Sequence, residues 1–87
     1  MKDLYTDKQW TLCIFDDKNY GLYDNTKPIV NKETGKVTYK MSYFSQINHG
    51  IREFSRRLAN EACHDLASWL KSFEEAVQRA ENAVKGM

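Results

Sequence analysis

The chain has 87 residues, 41% of them hydrophobic and 29% charged, with a formal net charge of +1. This length allows one domain, and the content of large apolar residues excludes a disordered chain. The even charge balance argues against a protein that binds DNA through many phosphates, because such proteins carry a basic excess. We therefore predict a single domain over 1–87, β-rich over 1–44 and α-helical over 45–87.

The N-terminal half predicts an antiparallel meander of three or four short strands. Residues 10–15 are aromatic and β-branched, which is typical of a strand. A polar turn at 16–19 leads to a returning strand at 20–23. Residues 24–28 are predicted as a loop, 29–30 as a short strand, and 37–41 as a half-buried strand because apolar and polar residues alternate there.

The C-terminal half predicts two amphipathic α-helices. Ser45 is the expected N-cap of the first, and Gly50 is expected to let that helix approach the sheet closely. Asp65 is the expected N-cap of the second helix, and Gly86 is its expected end. One apolar stripe consists of Ile47, Ile51, Phe54 and Leu58, and the other of Leu66, Trp69, Leu70, Phe73, Val77, Ala80 and Val84.

The two stripes are also compatible with one helix of about 40 residues, because neither Pro nor Gly lies between Gly50 and Gly86. A domain this small cannot cover so long a helix without a second chain. We predict a break near 60–65. The long-helix alternative keeps a homodimer open beside a monomer.

No catalytic apparatus is recognisable in the sequence. Cys13, His49, Cys63 and His64 lack the usual metal-ligand spacing, and the four glycines do not form a phosphate-binding loop. We therefore expect no enzyme activity, no metal and no cofactor. Both cysteines are expected to be small buried hydrophobes, and in the predicted cytoplasmic location they would be reduced.

Two features point to binding. Arg52, Arg56 and Arg57 form the densest basic cluster, suited to phosphate or to an acidic protein surface. Tyr20, Tyr23 and Tyr39 lie in predicted strands, and the face of the sheet that does not pack on the helices should expose two or three aromatic residues. Exposed tyrosines contact proteins and also stack on bases.

The order of these elements resembles small uncharacterised accessory proteins of phages and prophages. The resemblance covers about residues 10–84. It rests on Trp10, Leu12, Asp17, Tyr20, Tyr43, Phe44, Ser45, Ile47 and Leu66. It implies a β-hairpin with two helices, located in the cytoplasm of a bacterial host. It further implies a role in modulating host or phage complexes, including the inhibition of defence systems.

The first functional hypothesis is accordingly a non-enzymatic accessory protein that binds and modulates another protein. The alternative is a small nucleic-acid-binding module that uses the arginine cluster with the sheet tyrosines. A third hypothesis is a homodimeric structural protein built on the final helix. No membrane partner is expected, because no apolar run approaches the roughly 18 residues needed to cross a bilayer.

Overall fold

The computed structural model describes residues 1–62 and 64–86 and contains a four-stranded antiparallel sheet followed by two α-helices. The elements are β1 (Lys2–Asp7), β2 (Trp10–Ile14), β3 (Tyr20–Val30), β4 (Val37–Phe44), α1 (Ile47–Ala62) and α2 (Leu66–Lys85). The strands pair in chain order, which makes β1 and β4 the two edges of the sheet. The predicted α+β class, a meander followed by two helices, is confirmed.

The strand boundaries differ from the prediction in two places. The sequence does not predict β1, whose pairing with β2 contains a register shift between Asp3 and Tyr5. Residues 24–28, predicted as a loop, belong to β3. Its pairing with β4 is interrupted between Tyr23 and Pro28, so turn-forming residues are tolerated there. The predicted strand at 29–30 is therefore the end of β3.

The helices are separate, as the predicted break requires, with α1 ending at Ala62 and α2 beginning at Leu66. Asp65 caps α2, because its carboxylate accepts a hydrogen bond of 2.9 Å from the backbone N–H of Ser68. The prediction that Ser45 caps α1 is wrong. The first helical hydrogen bond runs from Gly50 N–H to the carbonyl of Gln46, so Gln46 occupies the capping position.

One face of the sheet packs on α1, and α2 packs on α1 and reaches β1. The core between them is mainly apolar, since the inward positions of two central strands meet the inward stripes of both helices; the buried Ser55 hydroxyl of α1 donates to the carbonyl of Ile51 at 2.8 Å. Its buried members are Leu12, Leu22, Ile51, Phe54, Leu58, Ala76 and Ala80. The β3–β4 hairpin projects beyond this core, and residues 31–38 at its tip are exposed.

Gly50 lies where α1 crosses the sheet. A Cβ added at this position would lie 3.1 Å from Leu12 Cδ1 and 3.6 Å from the ring of Phe44. Gly50→Val should therefore lower the free energy of unfolding by about 1–3 kcal/mol, because its γ-methyl groups overpack this contact. Thermal and urea unfolding would measure the loss, with Asn48→Val on the exposed side of the same helix as control. Equal losses in both variants would contradict the close approach.

An ion pair links α2 to the edge strand β1. Arg79 follows Glu75 by four residues, a spacing at which the two side chains could form an ion pair along α2. Instead the Arg79 guanidinium donates to Asp7 Oδ2 at 3.1 Å and so ties α2 to β1. The end of β1 thus offers Arg79 a carboxylate across the interface.

Candidate functional site

The side of the sheet turned away from the helices, called the outer face here, bears Cys13, Tyr23, Tyr39, Met41 and Tyr43. Strand pairing aligns Cys13 with Gly21 and Gly21 with Tyr43, and it aligns Tyr23 with Met41. Phe44, one residue after Tyr43, packs on the helix side. Because side chains alternate along a strand, the two sets of β4 side chains face opposite sides of the sheet.

At the centre of the outer face, side chains of the strands pack against one another and form a small second core. The Met41 side chain lies over Gly21 of β3 and so reaches β2. Only a glycine leaves this room, since a Cβ at position 21 would lie 2.5 Å from Met41 Sδ. Met41 thereby covers Cys13, whose Sγ lies 3.9 Å from that sulfur. Burial, followed by the charge of Asp3, raises the pKa of the Cys13 thiol. The predicted buried character of Cys13 is confirmed, and Cys63 lies outside the described residues.

Tyr23 belongs to this second core. It is 6% exposed, its ring lies 4.6 Å from that of Tyr39, and its hydroxyl donates to Asp3 at 3.2 Å. Burial is the main cause that raises the pKa of Tyr23, and the charge of Asp3 adds to it. Tyr23 therefore packs within the outer face, beside Tyr39, and presents little surface to a ligand.

The rim of the outer face is apolar and exposed. Tyr43 is 56% exposed and lies edge-on to Phe15, with ring centroids 4.9 Å apart. These two rings open onto a groove of about 400 Å³, called the aromatic groove here. Its apolar lining consists of Met1, Phe15, Val37, Tyr39, Met41 and Tyr43, with Lys36 at one end.

The aromatic groove gathers exposed hydrophobic surface from separate parts of the chain. Eight large hydrophobic residues are exposed among residues 1–62 and 64–86, and four of them line this groove. Contiguous exposed apolar surface of this kind marks interaction sites more often than scattered single residues do. The groove runs along β4. The edge of β4 opposite β3 pairs with no strand in the described part of the chain.

The predicted arginine cluster lies on α1, on the opposite side of the sheet. Arg56 and Arg57 both bind Glu53, at 2.9 Å from Arg56 Nε and 3.1 Å from Arg57 Nε. Arg57 also donates to Ser42 at 3.1 Å, and its guanidinium carbon lies 4.8 Å from the ring centroid of Trp10. Two of the three arginines thus share one carboxylate, and Arg57 ties α1 to the sheet. Arg52 is exposed.

The predicted site residues are therefore not brought together. Tyr23 and Tyr39 lie on the outer face, whereas Arg52, Arg56 and Arg57 lie on the helix layer. Tyr20 is half-buried on the helix side of the sheet, where it pairs with Phe44. Of the three tyrosines, Tyr39 alone lines the aromatic groove.

A second cleft lies on the helix side of β4. It has a volume of about 350 Å³ and is called the basic cleft here. Its lining residues are Trp10, Asp24, Lys27, Lys40, Ser42 and Arg57. Lys27 lies 3.7 Å from Asp24, and hydrogen bonding to Thr26 is the main cause that lowers the pKa of that carboxyl. The cleft therefore holds three cations and one anion beside the free edge of the sheet.

Acidification should loosen the contact between α1 and Trp10. The hydrogen bond from Arg56 is the largest cause that lowers the pKa of Glu53 below its ordinary value of 4.5, and the bond from Arg57 adds to it. A lowered folded-state pKa means that this stabilisation is present above pH 4.5 and is lost as the pH falls through the folded value. The indole N–H resonance of Trp10 should shift in that acidic window.

The indole N–H of Trp10 also faces Glu61, at 3.4 Å. Two variants separate the carboxylates. The acidic shift should persist in Glu61→Gln and disappear in Glu53→Gln, with Trp69 as an internal reference. Loss of the shift in Glu61→Gln alone would contradict the role given to Glu53.

The start of α2 carries another apolar surface. Leu66 and Leu70 are exposed beside Trp69, and a depression of about 420 Å³ lies next to His64, Asp65, Leu66 and Trp69. Trp69 is already stacked on Phe73 with centroids 5.2 Å apart, and its indole donates to Asn60 at 2.7 Å. The aromatic surface here is thus largely used within the fold.

Within residues 1–62 and 64–86, no three His, Cys, Asp or Glu side chains are grouped so that they could hold a metal ion. No helix in the same described part of the chain is both long and apolar enough to span a membrane. The chain matches no protein-family model, and comparison with characterised proteins and with solved structures gave no match. The phage-type resemblance therefore stays a prediction from the residue pattern.

Proposed function

We propose that this chain is a non-enzymatic protein that binds another protein through its outer face and thereby modulates the complex to which that protein belongs. The observation that carries the proposal is the convergence of Met1, Phe15, Val37 and Tyr43, all exposed, on one groove beside β4, whose edge opposite β3 pairs with no strand in the described part of the chain. Aromatic residues and Met are enriched at the cores of protein interfaces.

The nucleic-acid alternative has weaker support from the geometry. A site of stacked bases and bound phosphates would need the arginines and the tyrosines on one surface. Here Arg56 and Arg57 are bound to Glu53, while Tyr23 and Tyr39 lie on the other side of the sheet. We therefore do not propose it as a second function.

The phage-type role, including inhibition of a defence system, is part of the same proposal and rests on the resemblance alone. Such a role requires recognition of a host or phage protein. The outer face is the surface that we expect to provide it.

Site-specific photo-crosslinking tests the proposal. A photoreactive amino acid in place of Tyr43 should give a discrete adduct in an extract of the source cells. The same amino acid in place of Gln78, which is exposed on α2, should not give that adduct. An identical adduct pattern at both positions, or none at position 43, would overturn the proposal.

A further inference from the structure

We infer that β4 takes up an extended, acidic segment of a partner protein as a fifth strand of the sheet, an inference that rests on the proposed function. The added strand would place alternate side chains in the aromatic groove and in the basic cleft. Its predicted pattern is therefore apolar residues alternating with Asp or Glu.

The first argument is the free edge itself. β4 (Val37–Phe44) is eight residues long and lies at the end of the strand order, where it pairs with β3 on one side with the interruption between Tyr23 and Pro28. An edge strand presents backbone N–H and C=O groups that another strand can bind, and an extended peptide gains affinity from them. A segment of about eight residues would match its length.

The second argument is the difference between the two sides of this edge. Tyr39, Met41 and Tyr43 point to the outer face, next to Phe15. Lys40 and Ser42 point to the helix side and line the basic cleft with Arg57. Because the side chains of an added strand also alternate, one set meets aromatic surface and the other meets cations.

The third argument is charge. The sequence has no acidic residue between Glu33 and Glu53, whereas Lys36, Lys40 and Arg52 lie in that interval. A second copy of this chain would bring its own Lys36 and Lys40 to the same edge, and like charges across a strand pair are destabilising. An acidic strand has the opposite, complementary charge.

The experiment uses the full chain and a fluorescent eight-residue peptide of alternating Val and Glu. A peptide of alternating Val and Lys and a single-stranded oligothymidylate serve as comparison probes. Anisotropy should show that the Val-Glu peptide binds most tightly. Nuclear magnetic resonance should place its largest amide shifts in residues 37–44.

Charge reversal at the edge is the decisive variant. Lys36→Glu combined with Lys40→Glu should weaken binding of the Val-Glu peptide by roughly tenfold or more and favour the Val-Lys peptide. The matched control is Lys71→Glu with Lys85→Glu, which makes the same change in net charge on α2 and should leave affinity unchanged. All four lysines are exposed, so circular dichroism should show folded protein in both cases.

Three outcomes would overturn the inference. They are binding of the Val-Glu peptide no tighter than that of the Val-Lys peptide, preferential binding of the oligonucleotide, and pairing of two copies through β4. If one of these occurs while the crosslink at position 43 still captures a specific protein, the proposed function stands and the strand-addition mode fails. If that crosslink also fails, the proposed function fails with it.

Discussion

Phe54→Ala is expected to lower the free energy of unfolding by about 3–5 kcal/mol. The Phe54 side chain is fully buried between α1 and the sheet, and its ring centroid lies 5.6 Å from that of Tyr5. Removal of the ring leaves a cavity at the point where both helices and the sheet meet. For a domain of this size the loss is a large share of the total stability, so the variant should unfold at a much lower urea concentration than the unaltered chain.

Phe15→Ala is the matched control, because it removes the same side chain from the exposed rim of the outer face. Phe15 is 39% exposed, so the expected loss is below about 1 kcal/mol. Urea unfolding followed by circular dichroism measures both variants. Losses of similar size at the two positions would mean that the core does not lie between α1 and the helix side of the sheet.

The second large effect concerns binding. Tyr43→Ala should weaken binding of the crosslinked partner by at least about thirtyfold, because a central aromatic anchor of an interface contributes on the order of 2 kcal/mol. The folded state should lose little, since Tyr43 is 56% exposed. Isothermal titration calorimetry with the isolated partner would measure the change.

Leu66→Ala serves as the control for that measurement. Leu66 is 73% exposed on α2, far along the chain from the outer face, and its removal should leave affinity unchanged. If Leu66→Ala abolishes binding and Tyr43→Ala does not, the interaction surface lies at the start of α2.

Much of the fold follows from local sequence patterns. The apolar stripes predict both helices, and Asp65 marks the start of α2 because its carboxylate accepts the bond that an N-cap should accept. The hairpin of β2 and β3 follows from aromatic and β-branched residues around a polar turn. Gly50 is correctly predicted to allow close packing of helix and sheet.

The remaining features depend on contacts between distant parts of the chain. β1 shows little hydrophobic pattern and forms through pairing with β2, while Arg79 binds Asp7, 72 positions away in the sequence. The outer face is equally hidden from local patterns. Its second core forms because the Met41 side chain lies over Gly21. This contact can be recognised only when the register of β3 and β4 is known.

The candidate site shows the same limit. The sequence indicates that tyrosines and arginines are available for binding, but α1, which carries the arginines, packs on the face of the sheet opposite to Tyr23 and Tyr39. Met1, Phe15 and Val37 meet in the aromatic groove although they lie in three different segments. The sequence signal that could have suggested the edge of β4 is the acid-free stretch from 34 to 52, which surrounds this strand with cations alone.

Amide hydrogen exchange of the chain with and without its crosslinked partner tests the central claim most directly. Binding at the outer face and the free edge predicts slower exchange in residues 37–44 and unchanged exchange in residues 66–77. Slower exchange confined to α2, with β4 unaffected, would contradict the claim that this protein binds its partner through the outer face of the sheet.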